Sequence, residues 1–520
     1  MKSRTTRFRA VRLSLVDLTG RAHIDAVCRA RACLAGERES RLRALASKKV
    51  DFYPPALQKR LLALLPRVGT AYGRAFTSSA GGATTRTFKR AAQLAAAPLT
   101  GLGYYRLGED GRLFLISKSE HYHTPLGHSF PGYRLVQHAR RLGIPNATHN
   151  NTRGHITRRL EEELIRIASG LPRGDLGGLE RVIASRRPHV LNRVLNLETG
   201  SLAVEAAVKM ILSRFYRLQD DSPQPKYKGR IPVLIVMADD DGGLTANYHG
   251  TTITAQTMRG LWRDLLAGFE KQGIMMVRSV RPNQIAEFEA VLRRDNAGRH
   301  KVAGFVHEFV LMNYGVRRLS EGFVRRAYEL CRRHDVPTVA DEIQSCLWSP
   351  RLFSFREYGV QPTFVAVGKG FPGGEYPASR LLFSAAMDCL PQFGALVTNG
   401  QEELASLSYL VTTRWAEENA AVTEAVGDYY QERLHELADQ HRHRISSIDG
   451  SRHMGAIRFR DLDSAKRFTK RLNKAGLDIS VQTYKADSPP SALTKLPLIA
   501  GYEVVDFVVE RMREAMRTMG

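Results

Sequence analysis

Between about residues 151 and 395, short runs that are apolar at every position alternate with longer stretches whose apolar positions recur at helical spacing. Residues 194–197, 232–237 and 302–310 read as strands, as do the runs that end at Asp341 and just before Lys369; residues 203–216 and 321–334 read as helices. A run with no polar face suits a strand buried on both sides, and strand–helix alternation suits a parallel sheet. The predicted fold class is α/β, a large domain with a mostly parallel sheet flanked by helices, plus a small α+β domain.

The flanking regions read differently. Residues 1–85 form a basic, helical N-terminal extension in which Leu57, Leu61, Leu62 and Leu65 share a face, closed by the Ser- and Gly-rich stretch 78–85. Residues 86–150 begin the small domain with a hairpin, 104–106 against 113–116, around Asp110-Gly111. Residues 151–395 form the large domain. Residues 396–520 complete the small one with helices at 402–418, 424–440 and 464–475, a strand at 455–459 and a last helix from Tyr502.

A chain of 520 residues can bury a large core. Its net charge of +25 allows diffuse attraction to polyanions, yet no nucleic-acid-binding signature accompanies it, so specific nucleic-acid recognition is not expected. Residues 1–50 carry 13 Lys and Arg against Asp17, Asp25, Glu37 and Glu39. Met1–Val16 has the composition of an organelle presequence, but a basic extension of a cytoplasmic bacterial protein is the preferred reading. Five scattered cysteines without metal spacing fit a reducing cytoplasm, and no apolar run is long enough to span a membrane. His121, His123 and His128, and the run Asp239-Asp240-Asp241, lack ligand spacing and are assigned to loop polarity rather than a metal.

The chemistry concentrates at two strand ends. Asp341 follows Thr338-Val339-Ala340, and Lys369 follows Phe364-Val365-Ala366-Val367-Gly368, placing an acid and an amine at the carboxyl edge of a parallel sheet. A lysine with a burial-lowered pKa forms Schiff bases with aldehydes, and a carboxylate keeps a pyridine nitrogen protonated. That pair is what pyridoxal 5'-phosphate chemistry requires. Thr199-Gly200-Ser201 opens a helix after a strand, where free N–H groups and a glycine suit a phosphate monoester.

Around these residues the chain resembles the class III aminotransferases, pyridoxal phosphate enzymes of fold type I. The resemblance rests on Thr199-Gly200-Ser201 with Glu205-Ala206-Ala207, on Tyr248-His249-Gly250, on Asp341-Glu342-Ile343-Gln344, and on Lys369-Gly370 with Gly373-Gly374 and Tyr376-Pro377. It implies that Tyr248 stacks on the cofactor ring with His249 behind it, that Ile343 packs on the opposite face, and that Gln344 bonds the ring's phenolic oxygen. Ile343 fits plain strand core equally. Glu308 falls where the family has a gating acid, though a solvated strand-end acid fits the same place. Thr398 resembles the threonine that members donate to the neighbouring subunit's phosphate, which implies a homodimer with shared active sites and a small domain assembled from both chain ends. Three departures touch substrate recognition: Leu202 stands where an acid is usual, the loop Ser345–Arg351 replaces an Arg-rich aromatic one of the Gly-Phe-Gly-Arg-Thr-Gly kind and is one residue shorter, and no arginine appears in Leu493-Thr494-Lys495-Leu496-Pro497-Leu498.

The expected activity is transfer of an amino group between an amine or amino acid and an oxo acid through a Lys369 Schiff base. The same scaffold supports aminomutase, racemase, decarboxylase and lyase reactions. A non-catalytic binding protein would have no need of Lys369, Asp341 and Tyr248 together.

Overall fold

The computed structural model describes residues 5–147, 151–482 and 489–519; the first residues of the basic segment lie outside them. At its centre is a seven-stranded sheet with the order Leu191–Leu197, Ser379–Ser384, Phe364–Val367, Thr338–Asp341, His300–His307, Ile231–Met237, Met276–Val280. All neighbours are parallel except Ser379–Ser384, which runs antiparallel to both of its partners.

Burial explains why the strand runs are apolar throughout. Every residue of Ile231–Met237 is buried, and successive side chains enter opposite cores. Leu234, Val236, Ala303, Val306, Val339 and Ala366 pack on the face covered by the helix Gly200–Leu212, whereas Ile235, Met237, Val302, Phe305, Ala340 and Val365 pack on the other. The two-residue period of a strand is therefore satisfied twice over. Two strands escape the hydrophobic pattern because polar side chains interrupt it. Arg278 of Met276–Val280 pairs with Glu270 at the sheet edge, and Arg380 of Ser379–Ser384 is buried with bonds to the Ser379 carbonyl and Ser406 Oγ.

The strand expected at 302–310 stops at His307; Val310–Leu311 pairs separately with Arg317–Arg318. That break frees Glu308 from the ladder at the carboxyl edge. Beyond the large sheet, the strands Ile445–Ser451, Met454–Phe459, Ser491–Lys495 and Ser480–Val481 form an antiparallel sheet, with the helices Ala420–Gln440, Leu462–Lys474 and Tyr502–Arg517 packed with it. A three-stranded sheet, Pro98–Leu102, Tyr105–Gly108 and Leu113–Leu115, joins it through a bridge from Leu115 to Leu477.

The N-terminal extension is built into the body rather than appended to it. Helices Leu15–Thr19, Arg21–Ala35, Glu39–Ser47 and Pro55–Leu64 bury Leu15, Ile24, Cys28, Leu42 and Leu61 in the main core. Their arginines stay on the outer faces, so basic composition and a buried stripe coexist. Trp415, on the helix Glu403–Glu418, lies 5.6 Å from Phe8, 6.2 Å from Tyr53 and 5.9 Å from Phe130 between ring centroids. This aromatic knot ties the segment around Phe8 to the body. Trp415→Ala should therefore cost about 3–5 kcal/mol, measured as the change in free energy of chemical unfolding; a loss under about 1 kcal/mol would show that the knot is dispensable.

Candidate active site

Asp341 ends its strand opposite Ala366 of Phe364–Val367, and Lys369 follows two residues beyond that neighbouring strand. Lys369 has φ 38°, a left-handed conformation that costs a non-glycine residue roughly 1–3 kcal/mol. Both side chains line a cavity of about 420 Å³, together with Gly200, Ser201, Tyr248, His249, Ile343 and Gln344. Residues that span 170 positions of sequence thus meet at one carboxyl edge of the sheet.

The polar groups are connected. His249 Nδ1 lies 2.8 Å from Asp341 Oδ2, with both side chains buried, and the Ile343 amide donates to Asp341 Oδ1 at 3.1 Å. His249 is thus a direct partner of the carboxylate, a role its sequence position behind Tyr248 does not disclose. Gln344 is likewise engaged on both ends of its amide: Nε2 donates to Glu308 Oε2 at 3.0 Å, and Oε1 accepts from Lys369 Nζ at 3.2 Å. Glu308 is buried, which excludes the solvated strand-end alternative. Burial lowers the pKa of the Lys369 amine, while Glu308 and Asp341 act in the opposite sense.

One end of the cavity is shaped by glycine. Thr199 precedes the helix Gly200–Leu212 in an extended conformation without capping the first turn through its side chain. A Cβ on Gly200 would fall 2.3 Å from Ile343 Cδ1; one on Gly250, where φ is 112°, would fall 2.6 Å from Ser201 Oγ. Ser201 Oγ accepts from the Thr251 amide at 3.1 Å. The loop after Tyr248 therefore closes over the helix start, which only glycine permits.

Thr398 is exposed and does not line the cavity of the single chain. Leu202 packs as a partly buried apolar residue against the core. The cavity wall also includes Gly250 of the Tyr248-His249-Gly250 motif, and Glu198, His123 and Glu375, which were not expected there. Glu375 could have been found from its place in the Gly-rich loop after Lys369. Lys495 was missed because arginine was the residue sought there: it is fully buried, its Nζ lies 3.6 Å from the Trp348 ring centroid, and it donates to the Gln344 carbonyl.

Comparison with known proteins identifies the family. The aminotransferase class-III family pattern matches residues 149–496. The chain belongs to the class III aminotransferases. It is 26% identical over 237 residues to a diaminobutyrate--2-oxoglutarate transaminase of Streptomyces avermitilis, covering 45% of this chain and 54% of that one. It is 28% identical over 337 residues to an ornithine aminotransferase of an Exiguobacterium species, covering 61% and 74%. The matched stretch thus spans about half the length of the first of these curated relatives. The fold is similar to that of the ornithine aminotransferase from Toxoplasma gondii, with TM-score 0.65 and 18% identity over 88% of this chain and 95% of that one. It is also similar to a phospholyase from Arthrobacter, with TM-score 0.62 and 17% identity over 81% and 94%. A structure of the Toxoplasma gondii ornithine aminotransferase holds pyridoxal phosphate at partial occupancy, and pyridoxal phosphate is the cofactor of this class III chain.

The donor set of this class III site fits that group. A buried carboxylate held by His249 suits a pyridinium nitrogen, the helix start between Gly200 and Gly250 suits a phosphate, and an amine of lowered proton affinity suits an aldehyde. Adding pyridoxal phosphate and reducing with borohydride should place the covalent adduct on Lys369, read by peptide mass mapping. An adduct on another lysine, or none, overturns the assignment.

Proposed function

We propose that this protein transfers an amino group between an amine or amino acid and an oxo acid, with Lys369 as the reacting lysine. The observation that carries the reading is that Lys369 and Asp341 stand on neighbouring strand ends and line one cavity with Gly200, Ser201 and Tyr248. The names of the curated relatives support amino-group transfer.

When bound, pyridoxal phosphate supplies an aldehyde that condenses with amines and a pyridinium ring that takes up an electron pair. The chain's own residues do the remainder. Asp341, fixed by His249 and the Ile343 amide, would keep the ring nitrogen protonated. Gly200 and Ser201 at the helix start would hold the phosphate, and Tyr248 and Ile343 would flank the ring. Gln344 orients Lys369 from the side. The Lys369 ε-amine, held at the cavity by Gln344, would serve as the base and acid that moves a proton at the substrate carbon. A lowered pKa suits that task, because the amine must be unprotonated when it acts.

We further propose a homodimer in which Thr398 completes the partner's phosphate site; its exposure in the single chain is compatible with that role. All five cysteines are free, which supports a reducing, cytoplasmic setting. Among the described residues no helix is long and apolar enough to cross a membrane.

Asp341→Asn keeps the size of the side chain and removes its charge. It should leave the protein folded and lower kcat by roughly 10²–10³-fold, measured with amine donors that convert the wild-type absorption spectrum; near-normal turnover would show that another group serves the nitrogen.

Thr398→Ala removes one hydroxyl bond to a charged acceptor, about 1.5–3 kcal/mol. Cofactor affinity should fall roughly ten- to a hundred-fold, measured by titrating cofactor-free protein. Mixing Lys369→Ala with Thr398→Ala chains should restore activity, because one site of the mixed dimer then has both residues. A fully active monomer would rule out the shared site.

A further inference from the structure

Two buried amines approach one aromatic ring in this molecule. Lys369 Nζ lies 5.5 Å and Lys495 Nζ 4.8 Å from the centroid of Tyr122. Tyr122 closes an unusual turn, Ser119–Tyr122, in which four consecutive non-glycine residues have positive φ, between 45° and 78°. Such a turn is costly for L-residues and persists only when its surroundings hold it. They do so here. Glu120 is paired with Arg106 and His128, and Ser119 Oγ donates to the Lys495 carbonyl at 2.6 Å. The Lys495 amide in turn donates to the Ser117 carbonyl at 2.7 Å. The strained turn and the end of the strand Ser491–Lys495 are therefore one unit, and that unit sets a ring beneath both amines.

The surroundings of the two amines differ. Lys495 Nζ meets acceptors: the Trp348 face at 3.6 Å, the Tyr122 face and the Gln344 carbonyl. Trp348 is itself fixed by its Nε1–H bond to the Leu496 carbonyl at 2.9 Å. Lys369 Nζ donates to the Gln344 side chain and lines the cavity.

We propose that Lys495 is a positioning residue for Lys369: clamped between Trp348 and Tyr122, it holds the main chain of Gln344 and keeps the positive charge of the two-amine cluster on itself, leaving Lys369 as the free base. Charge on a π face and on a carbonyl is stabilised as cation–π and charge-assisted bonding, and a second positive charge nearby is disfavoured. Burial lowers the proton affinity of both amines, that of Lys495 strongly, and Lys369 adds to the lowering at Lys495. Against this, Glu308 and Cys346 favour the ammonium on Lys495, while Glu308, Asp341 and Cys346 favour it on Lys369. On the turn, burial and then the nearby lysines lower the proton affinity of His121 and His123, Lys118 included for His121; Glu120 opposes this at His123. The three acceptors around Lys495 Nζ are the contacts that favour its ammonium, whereas Lys369 Nζ meets one π face and one amide oxygen.

The inference rests on Lys369 being the reacting lysine, but its test needs no turnover. In the full-length, cofactor-free chain, the pH dependence of Lys369 acylation by acetic anhydride is read by peptide mass spectrometry. Lys495→Gln retains a donor for the Gln344 carbonyl and discards the charge, so the Lys369 midpoint should rise by about one pH unit or more. Lys495→Arg retains the charge and should leave the midpoint near that of the wild type. If Lys495→Gln does not give a native near-UV spectrum, Lys495→Met serves the same comparison. An unchanged midpoint in the neutral variant, or an equal rise in Lys495→Arg, overturns the proposal. A shifted midpoint in a protein without transaminase activity would sustain it while removing the functional reading above.

Discussion

Holding a carboxylate and an amine out of water at the carboxyl edge of one sheet is the constraint that organises this molecule. An ion moved from water into a protein interior loses several kcal/mol even after relaxation, so Asp341 is tolerable there only because it is held from more than one side. His249 and the Ile343 amide do this, at 2.8 and 3.1 Å. The geometry propagates outward. His249 reaches Asp341 because the loop at Tyr248-His249-Gly250 folds over the start of the helix Gly200–Leu212, and that loop fits only because residues 200 and 250 lack a Cβ. The helix start at Gly200 and the Asp341 carboxylate are thus positioned by the same contacts.

Much of this was visible in the chain because the informative residues are adjacent to the runs that carry them. Asp341 and Lys369 each terminate or closely follow an apolar strand, and the strand ends meet automatically in a parallel pairing. What sequence spacing does not encode is approach from distant elements. Nothing near Lys495 indicates that Nζ will arrive beside the carbonyl of Gln344, some 150 residues earlier. Nor does the local pattern reveal that 119–122 adopt a left-handed turn, since none of the four residues is glycine. The strand Ser379–Ser384 was hidden for a related reason: it buries an arginine, which hydrophobic patterning reads as surface.

The basic N-terminal region illustrates how composition and packing separate. Its arginines account for the charge excess of residues 1–50, yet its leucines, with Phe8, Phe52 and Tyr53, enter the same core as Phe130 and Trp415. Net charge describes the outer face of those helices, and stability is decided on the inner one.

Fold and cofactor leave the choice of reaction to what surrounds the amine, as the similarity to both an aminotransferase and a phospholyase makes plain. In this chain those surroundings depart from the family where substrate is met. Leu202 is apolar, the loop Ser345–Arg351 turns Cys346, Leu347 and Trp348 into the core, and a lysine occupies the strand end where an arginine was sought. The last two departures are not independent. With Trp348 turned inward, its ring becomes a seat for the Lys495 ammonium, and Lys495 in turn binds the main chain of the residue whose side chain holds Lys369. A change that on paper concerns substrate recognition therefore reaches Lys369 through Gln344.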